Sequence, residues 1–233
     1  MRKLLFIMVL MLVAGTVTAR EITPLKTDLP LPVIQNDASA ACVAGNNGTP
    51  AGYYGSWFLG YEDYAIPINA GDSGCNCGEG VTVTAIHMLL ALDDLANFSV
   101  AVAVLDAETD GAGCLSPGVE IAVSPAYTVT GLTGGLAYYD IAIPITAPCA
   151  TVNDAQFIAM YFLDDNNGQF CGIPVTDPPN ACFGYNDYGN GYEDLVVDYG
   201  FQGDIMIWAD MECCAEPVST ESSTFGNVKS LFR

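Results

Sequence analysis

The feature that most constrains the fold is an alternation of apolar and polar residues that returns in many short stretches. In "GVTVTAIHMLLAL" (80–92), alternate side chains fall into two sets that face opposite ways. One set is Val81, Val83, Ala85, His87 and Leu89, and the other is Thr82, Thr84, Ile86, Met88 and Leu90. "NFSVAVAVLD" (97–106) follows after the short connection "DDLA" (93–96) and is therefore predicted to be its hairpin partner.

Similar stretches continue along the chain, each bounded by Gly, Pro, Asn or Asp. They are "GVEIAVSP", "AYTVTGL", "LAYYDIAIPI", "AQFIAMYFLDD" and "GDIMIWADM". No stretch of the domain keeps a helical period, because the apolar residues recur at every second position. The pattern predicts an all-β fold, an antiparallel and jelly-roll-like β-sandwich that occupies residues 51–215 as one domain.

The N-terminus has the organisation of a secretory signal peptide. Arg2 and Lys3 precede the apolar run "LLFIMVLMLVAG", and "TVTA" then places Val17 and Ala19 at the small-residue positions of a cleavage site. We predict that residues 1–19 are removed and that 20–50 form an N-terminal extension. The protein is then secreted or held at the cell surface, without membrane insertion.

The charge distribution excludes two classes of partner. No Lys or Arg occurs from Thr27 to Val228, and the chain without its predicted signal peptide has 4 basic and 27 acidic residues, so that 4 − 27 gives −23. Such a surface repels nucleic-acid phosphates and anionic lipids. Few carboxylates find a cation within the protein, which leaves water, backbone N–H groups, salt or a divalent metal to compensate them. Adaptation to a salty habitat would also explain the acidity.

The cysteines predict a disulfide framework. There are nine, at positions 42, 75, 77, 114, 149, 171, 182, 213 and 214, so at least one is free or pairs with another molecule. The loop "CGIPVTDPPNAC" favours a Cys171–Cys182 bridge, and other pairs would join the N-terminal third to the last strand. Zinc binding by "CNC" and "CC" is the alternative, but an oxidising compartment favours disulfides and the spacing is not C-x₂-C.

Oxygen-rich loops suggest calcium as a possible cofactor. "LDAETDGAGC" resembles the opening of an EF-hand loop, although Pro117 stands where the bidentate Glu would be. "YNDYGNGYED" (185–194) is a second such loop. The candidate ligands are Asp106, Glu108, Asp110, Asp187, Asn190, Glu193 and Asp194. The alternative is that Asp, Asn and Gly are simply the residues that tight turns use.

Aromatic residues occur among the acidic ones and suggest a sugar-binding surface. Sugar rings stack on aromatic faces while their hydroxyls find carboxylate acceptors. The candidate ligand-binding residues are Trp57, Tyr61, Tyr185, Tyr188 and Tyr192. Stabilising cross-strand aromatic pairs would give the same composition.

No catalytic residue is predicted. His87 is the only histidine, and its mid-strand position favours a hydrogen-bonded structural imidazole. We therefore expect a non-catalytic protein that binds a glycan or cell-surface polymer. The alternatives are a glycan-active hydrolase with a carboxylate pair and a purely structural surface or matrix subunit. An exposed unpaired cysteine would favour the structural subunit.

The last residues differ from the rest of the chain. "EPVSTESST" (216–224) is a polar linker, and "FGNVKSLFR" (225–233) sets Lys229 and Arg233 among apolar side chains. This ending resembles the short C-terminal sorting tails of exported bacterial proteins. Together with "YNDYGNGYEDL…GDIMIWADMECC", it makes the chain similar to bacterial secreted β-sandwich proteins. The resemblance implies recognition of the tail by an export or anchoring machinery.

Overall fold

The computed structural model describes residues 24–32, 40–55, 57, 60–78, 80–111, 113–164 and 169–214. The predicted signal peptide, the linker and the sorting tail lie outside these ranges. Every helix or strand element in the described part is a β-strand, and all pairings are antiparallel, which confirms the predicted fold class. Among these residues no helix is long and apolar enough to span a membrane.

Eight strands form the first sheet, in the order β1-β3-β11-β5-β15-β2, with β14 beside β11 and β9 beside β5. Their bounds are β1 Leu25–Lys26, β2 Cys42–Gly45, β3 Gly52–Tyr54, β5 Val81–Leu92, β9 Ala137–Pro144, β11 Cys171–Thr176, β14 Asp204–Ile205 and β15 Ile207–Cys213. Strand pairing thus begins before residue 51, within the segment 20–50.

Seven strands form the second sheet, in the order β13-β12-β4-β10-β6-β7, with β8 beside β6. Their bounds are β4 Asp63–Ile68, β6 Phe98–Thr109, β7 Leu115–Val123, β8 Tyr127–Val129, β10 Gln156–Phe162, β12 Tyr185–Asp187 and β13 Glu193–Asp194. Aliphatic side chains from both sheets meet in one large core. Its members include Ile66, Met88, Leu90, Val102, Val104, Ile158, Met160 and Ile207.

The predicted hairpin of residues 80–92 with 97–106 is wrong. β5 pairs with β9, β11 and β15, whereas β6 pairs with β7, β8 and β10, so the two strands belong to different sheets. Both strands place apolar side chains in the main core, each from its own sheet. The connection between Leu92 and Phe98 therefore crosses the gap of roughly 10 Å between packed sheets.

The predicted division of β5 into two faces is also wrong along part of the strand. Val83 faces the main core, as do Ile86 and Met88, so the alternation changes phase between them. The pairing with β15 shifts at this point, because Met211 lies opposite Val83 and Asp210 opposite Ala85. An extra residue in a strand turns the following side chains to the other face. This bulge places His87 on the outer face.

Four disulfides join distant parts of the chain. They are Cys42–Cys75, Cys77–Cys213, Cys114–Cys182 and Cys149–Cys214. Cys77–Cys213 confirms the expected bond between the N-terminal third and the last strand. The predicted Cys171–Cys182 bridge is wrong, since Cys171 is free and buried at the start of β11. Cys171 opens the extended strand β11, whereas the loop with Cys182 follows the other end of that strand, where Cys182 is bonded to Cys114.

Candidate functional site

The second sheet curls so that its outer face encloses a smaller core. Ala65, Ala159 and Ala103 are register partners on β4, β10 and β6, and this row of small side chains lets β7 approach β4. Tyr185 extends the row on β12, and its hydroxyl donates a hydrogen bond to the Leu115 carbonyl of β7. The Cys114–Cys182 disulfide ties the same two edges together.

The next outward-facing row of this sheet is polar. Asp63 on β4 lies between Tyr161 on β10 and Asp187 on β12, each directly opposite it in register. These three residues are two positions away from the alanine row, so they point to the same outer face. The side chains of Asp63 and its two partners are half-buried. The row is therefore accessible at the end of the curled sheet where β4 begins.

Two further side chains complete this row. Glu120 of β7 accepts a hydrogen bond from the Tyr161 hydroxyl, and Tyr161 is also hydrogen-bonded to Tyr192. Glu120 is exposed and Tyr192 is half-buried. We call the set Asp63, Glu120, Tyr161, Asp187 and Tyr192 the tyrosine–carboxylate face. Five separate strands or turns contribute to it, because the curl brings β7 back over β4 and β12.

The electrostatics of the face centre on Asp63. Burial raises the pKa of its carboxyl to about 7, and the nearby carboxylates Asp187, Glu120 and Glu62 add to the shift because they oppose a further negative charge. Near neutral pH, Asp63 is thus divided between a protonated form that donates a hydrogen bond and an ionised form that accepts one.

The tyrosines of the face keep their protons. Burial raises the pKa of Tyr161 and of Tyr192 far above 10, and neighbouring carboxylates contribute to both shifts. Each hydroxyl therefore remains a hydrogen-bond donor at any physiological pH. The face places neutral hydroxyls beside carboxylates, and a polyhydroxylated ligand can exchange its hydroxyl hydrogen bonds with both kinds of group.

The structure separates the five predicted aromatic ligand-binding residues. Tyr192 belongs to the tyrosine–carboxylate face, and Tyr61 and Tyr188 flank it. Tyr61 stands two residues before Asp63 and is 67% exposed, and Tyr188 follows Asp187 and is 36% exposed. Tyr185 lies in the small core. Trp57 is 2% exposed and packs edge-on against Tyr199 and Phe201, so its ring is part of the interior.

The predicted metal ligands of the 185–194 loop are occupied by local hydrogen bonds. Asp187 Oδ1 accepts the N–H groups of Gly189, Asn190 and Gly191 at 2.6, 3.1 and 3.0 Å. Asp194 is buried and accepts N–H groups from Val196 and Val197, and Glu193 accepts the hydroxyls of Tyr188 and Tyr199. These contacts are typical of carboxylates that shape a turn.

The residues of the other predicted calcium loop are exposed. Asp106 accepts the N–H of Ala107 at 2.9 Å, and Asp110 accepts that of Cys114 at 2.8 Å in the β6–β7 turn. Glu108 pairs with Ser116 in the hairpin ladder. No group of three or more His, Cys, Asp or Glu side chains in the described part of the chain is arranged to hold a metal ion.

His87 is held by two carboxylates on the outer face of the first sheet. Its Nδ1 lies 3.0 Å from Asp140 Oδ1, and its Nε2 lies 3.2 Å from Asp210 Oδ2. Burial lowers the pKa of this imidazole, but Asp140 and Asp210 outweigh that effect and raise it on balance. Because both ring nitrogens are engaged, the arrangement supports a structural imidazole rather than a general base.

Sequence reasoning missed Asp63, Glu120 and Tyr161. Each lies on a different strand, at an outward position of the alternation, and nothing in its local sequence distinguishes it from other outward residues. Only the register between β4, β10 and β12, and the curl that returns β7, bring the three together. Glu120 and Tyr161 lie in stretches that were predicted to be strands, whereas Asp63 lies in β4, which was not predicted.

Fold and site define a disulfide-linked antiparallel β-sandwich with a polar, tyrosine-rich outer face. The chain belongs to the family described as "Domain of unknown function (DUF7451)", whose model matches residues 34–211. A comparison with curated proteins finds no match.

Solved structures that are similar to the chain at low scores include a surface layer associated protein and two carbohydrate-binding modules. The cysteine protease and lectin-like domains of Cwp84, a surface layer associated protein of Clostridium difficile, share 10% identity at a TM-score of 0.46. That match covers 78% of this chain, which spans 38% of the Cwp84 chain.

The second is the carbohydrate-binding module CBM36 in complex with calcium and xylotriose, with 10% identity and a TM-score of 0.30 over 69% of this chain and 94% of that one. The third is CsCBM6-3 from Clostridium stercorarium in complex with cellobiose, with 13% identity and a TM-score of 0.27 over 65% and 94%. At these scores the likeness bears on neither ligand nor activity.

Proposed function

We propose that this chain is an exported, non-catalytic carbohydrate-binding protein and that the tyrosine–carboxylate face is its binding surface. One observation carries the proposal. Hydroxyl donors and carboxylate acceptors from five strands or turns meet at one end of an outer sheet face, with the exposed rings of Tyr61 and Tyr188 beside them. Sugar rings stack on tyrosine faces, and their hydroxyls both donate and accept hydrogen bonds.

The charge of the face selects neutral sugars. Asp187 and Glu120 are acceptors for sugar hydroxyls, and Asp63 serves as donor or acceptor near pH 7. Lys26 is the only Lys or Arg in the described part of the chain, and it lies over the rings of Tyr53 and Phe170 in the other sheet. Uronic-acid or sulfated glycans would meet uncompensated carboxylates. The expected ligand class is therefore a neutral polysaccharide.

Export is supported by the four disulfides, because such bonds form and persist in oxidising compartments. The free thiol of Cys171 is buried and therefore does not provide the exposed cysteine that a covalently assembled surface subunit would need. Recognition of residues 225–233 by an export or anchoring machinery stays a prediction.

The binding proposal is tested by native affinity electrophoresis of the oxidised protein in gels containing neutral polysaccharides. We expect retardation by at least one of them, reduced several-fold in Tyr61→Ala and in Tyr188→Ala. Tyr138→Ala is the matched control, since it removes a tyrosine ring from the outer face of the other sheet. The proposal would be contradicted if retardation survived both Tyr61→Ala and Tyr188→Ala, or if no neutral glycan retarded the protein.

A glycan-active hydrolase is the second candidate, favoured by one observation. A carboxyl with a pKa of about 7 beside the carboxylates Asp187 and Glu120 is what a glycosidase general acid requires. The two functions are separated by assaying release of reducing ends from each glycan that binds. Release that Asp63→Asn abolishes while binding persists would identify an enzyme.

Calcium remains a prediction for the loops 106–110 and 187–194. Its test is thermal unfolding of the oxidised protein in excess EGTA and then in millimolar calcium at fixed high ionic strength. A calcium-specific rise in Tm, reduced in Asp110→Asn or in Asp187→Asn, is expected. Equal Tm values in EGTA and in calcium would assign the carboxylates to turn formation alone.

A further inference from the structure

A groove opens at the end of the second sheet that lies away from the tyrosine–carboxylate face. Its volume is about 510 Å³, and its walls include Leu115 and Ile121 of β7, Asp106 of β6 and the segment 148–150. An adjoining hollow of about 360 Å³ shares Leu115 and Ala155 with it and adds Asp72 and Phe183. The two spaces therefore form one continuous groove, whose walls combine apolar side chains such as Leu115, Ile121 and Phe183 with polar ones.

The described chain ends at the wall of this groove. Cys214 is disulfide-bonded to Cys149, which lines the groove beside Pro148 and Ala150. The N–H of Cys214 also donates a hydrogen bond to the Gly80 carbonyl at 3.0 Å, so its position is fixed by two connections. Whatever follows Cys214 therefore starts at the edge of the groove.

We propose that this groove binds residues 225–233 of the same chain. That segment, "FGNVKSLFR", carries four large apolar side chains and two cations. The residues between it and Cys214 number ten (215–224), which reach roughly 33 Å when extended and so do not restrict access to any part of the groove. The apolar part of the walls, formed by Leu115, Ile121 and Phe183, would receive Phe225, Leu231 and Phe232.

The charges of the groove and of residues 225–233 are complementary, which favours this segment as the occupant. The groove is lined by the carboxylates Asp72, Asp106 and Asp154, and Lys229 and Arg233 are the only Lys or Arg residues in the sequence after Lys26. Lys26 itself lies over aromatic rings in the first sheet. A tethered segment also binds at a high effective concentration, which lets a weak contact persist. The bound segment would be withheld from any partner that recognises it.

The test places a photo-cross-linking benzoylphenylalanine at Leu231 in the full mature, oxidised chain. After irradiation at low protein concentration, mass spectrometry maps the cross-linked peptides. We expect cross-links within one molecule, to residues of 106–121 or 148–156. The yield should fall several-fold when Lys229→Gln and Arg233→Gln are combined, and likewise when Asp106→Asn and Asp154→Asn are combined. Asp93→Asn with Asp94→Asn is the matched control, since neither lines the groove, and should leave the yield unchanged.

Three results would overturn the proposal. Cross-links between molecules would show that a second copy is the occupant, and cross-links mapped outside the groove would place the segment elsewhere. The absence of any cross-link would show that the groove is not occupied by this segment. Each variant is first checked for an unchanged Tm. If the probe at Leu231 disturbs folding, the same experiment with the probe at Phe225 decides the question.

Discussion

The imidazole of His87 stacks on the indole of Trp208, with ring centroids 5.0 Å apart and planes inclined by 16°. The two residues are register partners on β5 and β15, and Asp140 and Asp210 lie at the two nitrogens of the imidazole. A protonated His87 is therefore held between two carboxylates and over an aromatic face, where its charge is favourable. The contribution of this arrangement to the stability of the first sheet therefore depends on pH.

We expect His87→Gln to lower the free energy of unfolding more at pH 5 than at pH 9. The pKa of His87 is raised in the folded state by Asp140 and Asp210, which outweigh burial. Its stabilising contribution is then fully present below the unfolded pKa of about 6.5 and is lost as pH rises through the folded pKa. Urea unfolding should show a loss of about 3 kcal/mol at pH 5. An equal loss at both pH values would contradict the charged role.

For Asp63, we expect a substitution to stabilise the protein rather than to destabilise it. Its folded pKa of about 7 lies above the ordinary value of 3.8, because of burial and then of Asp187, Glu120 and Glu62. Stability from this group is present below pH 3.8 and is lost as pH rises through 7, so the ionised carboxylate is unfavourable at pH 8. Asp63→Asn should raise Tm at pH 8 and change it little at pH 4. Asp94→Asn, which changes an exposed side chain in the turn after β5, is the control; a rise in Tm at both pH values would refute the assignment.

The disulfide pairing predicts how many free thiols can be titrated in the folded and in the denatured protein. The oxidised protein should show no thiol reactive toward Ellman's reagent when folded and one per chain in denaturant, because Cys171 is buried and burial raises its pKa. Cys171→Ser should abolish the signal. A folded protein that reacts at once, or two or more thiols in denaturant, would contradict the pairing.

Loss of a long-range bridge should be costly. Replacing both Cys77 and Cys213 by Ser frees a bridge between residues 136 apart in sequence, and we expect a loss of about 2–5 kcal/mol in unfolding free energy. The matched control is Cys171→Ser, which removes no disulfide. Urea unfolding of the two variants makes the comparison, and equal losses would show that the bridge does not stabilise the sandwich.

The alternation of side chains predicted the strands of this protein but not their partners. β5 and β6 both read as half-buried strands, and nothing local shows that their apolar faces pack across the core instead of their edges pairing. The bulge opposite Asp210 likewise has no local signature, yet it decides that His87 faces outward. Strand pairing depends on contacts between residues that are distant in sequence. The alternation of side chains within one stretch carries no information about those contacts.

The candidate site was predictable only where its residues are neighbours in sequence. Tyr188, Tyr192 and Asp187 stand out together in "YNDYGNGYED", and the structure keeps them together. Asp63 and Tyr161 meet only through the register of β4 and β10. Trp57 was predicted to bind a ligand but is buried, because composition alone does not distinguish a surface ring from a buried one.

Substitution of Gly203 tests how closely β14 approaches β11. A Cβ on Gly203 would lie 2.2 Å from the Thr176 carbonyl oxygen, and 2.8 Å and 2.9 Å from side-chain atoms of Val175, at the point where β14 pairs with β11. Backbone at that distance does not yield without moving the strand. We expect Gly203→Ala to lower the free energy of unfolding by about 1–3 kcal/mol.

The control for that substitution is Gly78→Ala. A Cβ on Gly78 would have no atom within 4 Å, and its backbone is not in the left-handed region, so the change should leave stability nearly unaltered. Thermal or urea unfolding of both variants makes the comparison under one condition. Equal stability of the two variants would mean that the close approach of β14 to β11 is not maintained in solution, and the edge of the first sheet next to Thr176 would then be looser than the structure shows.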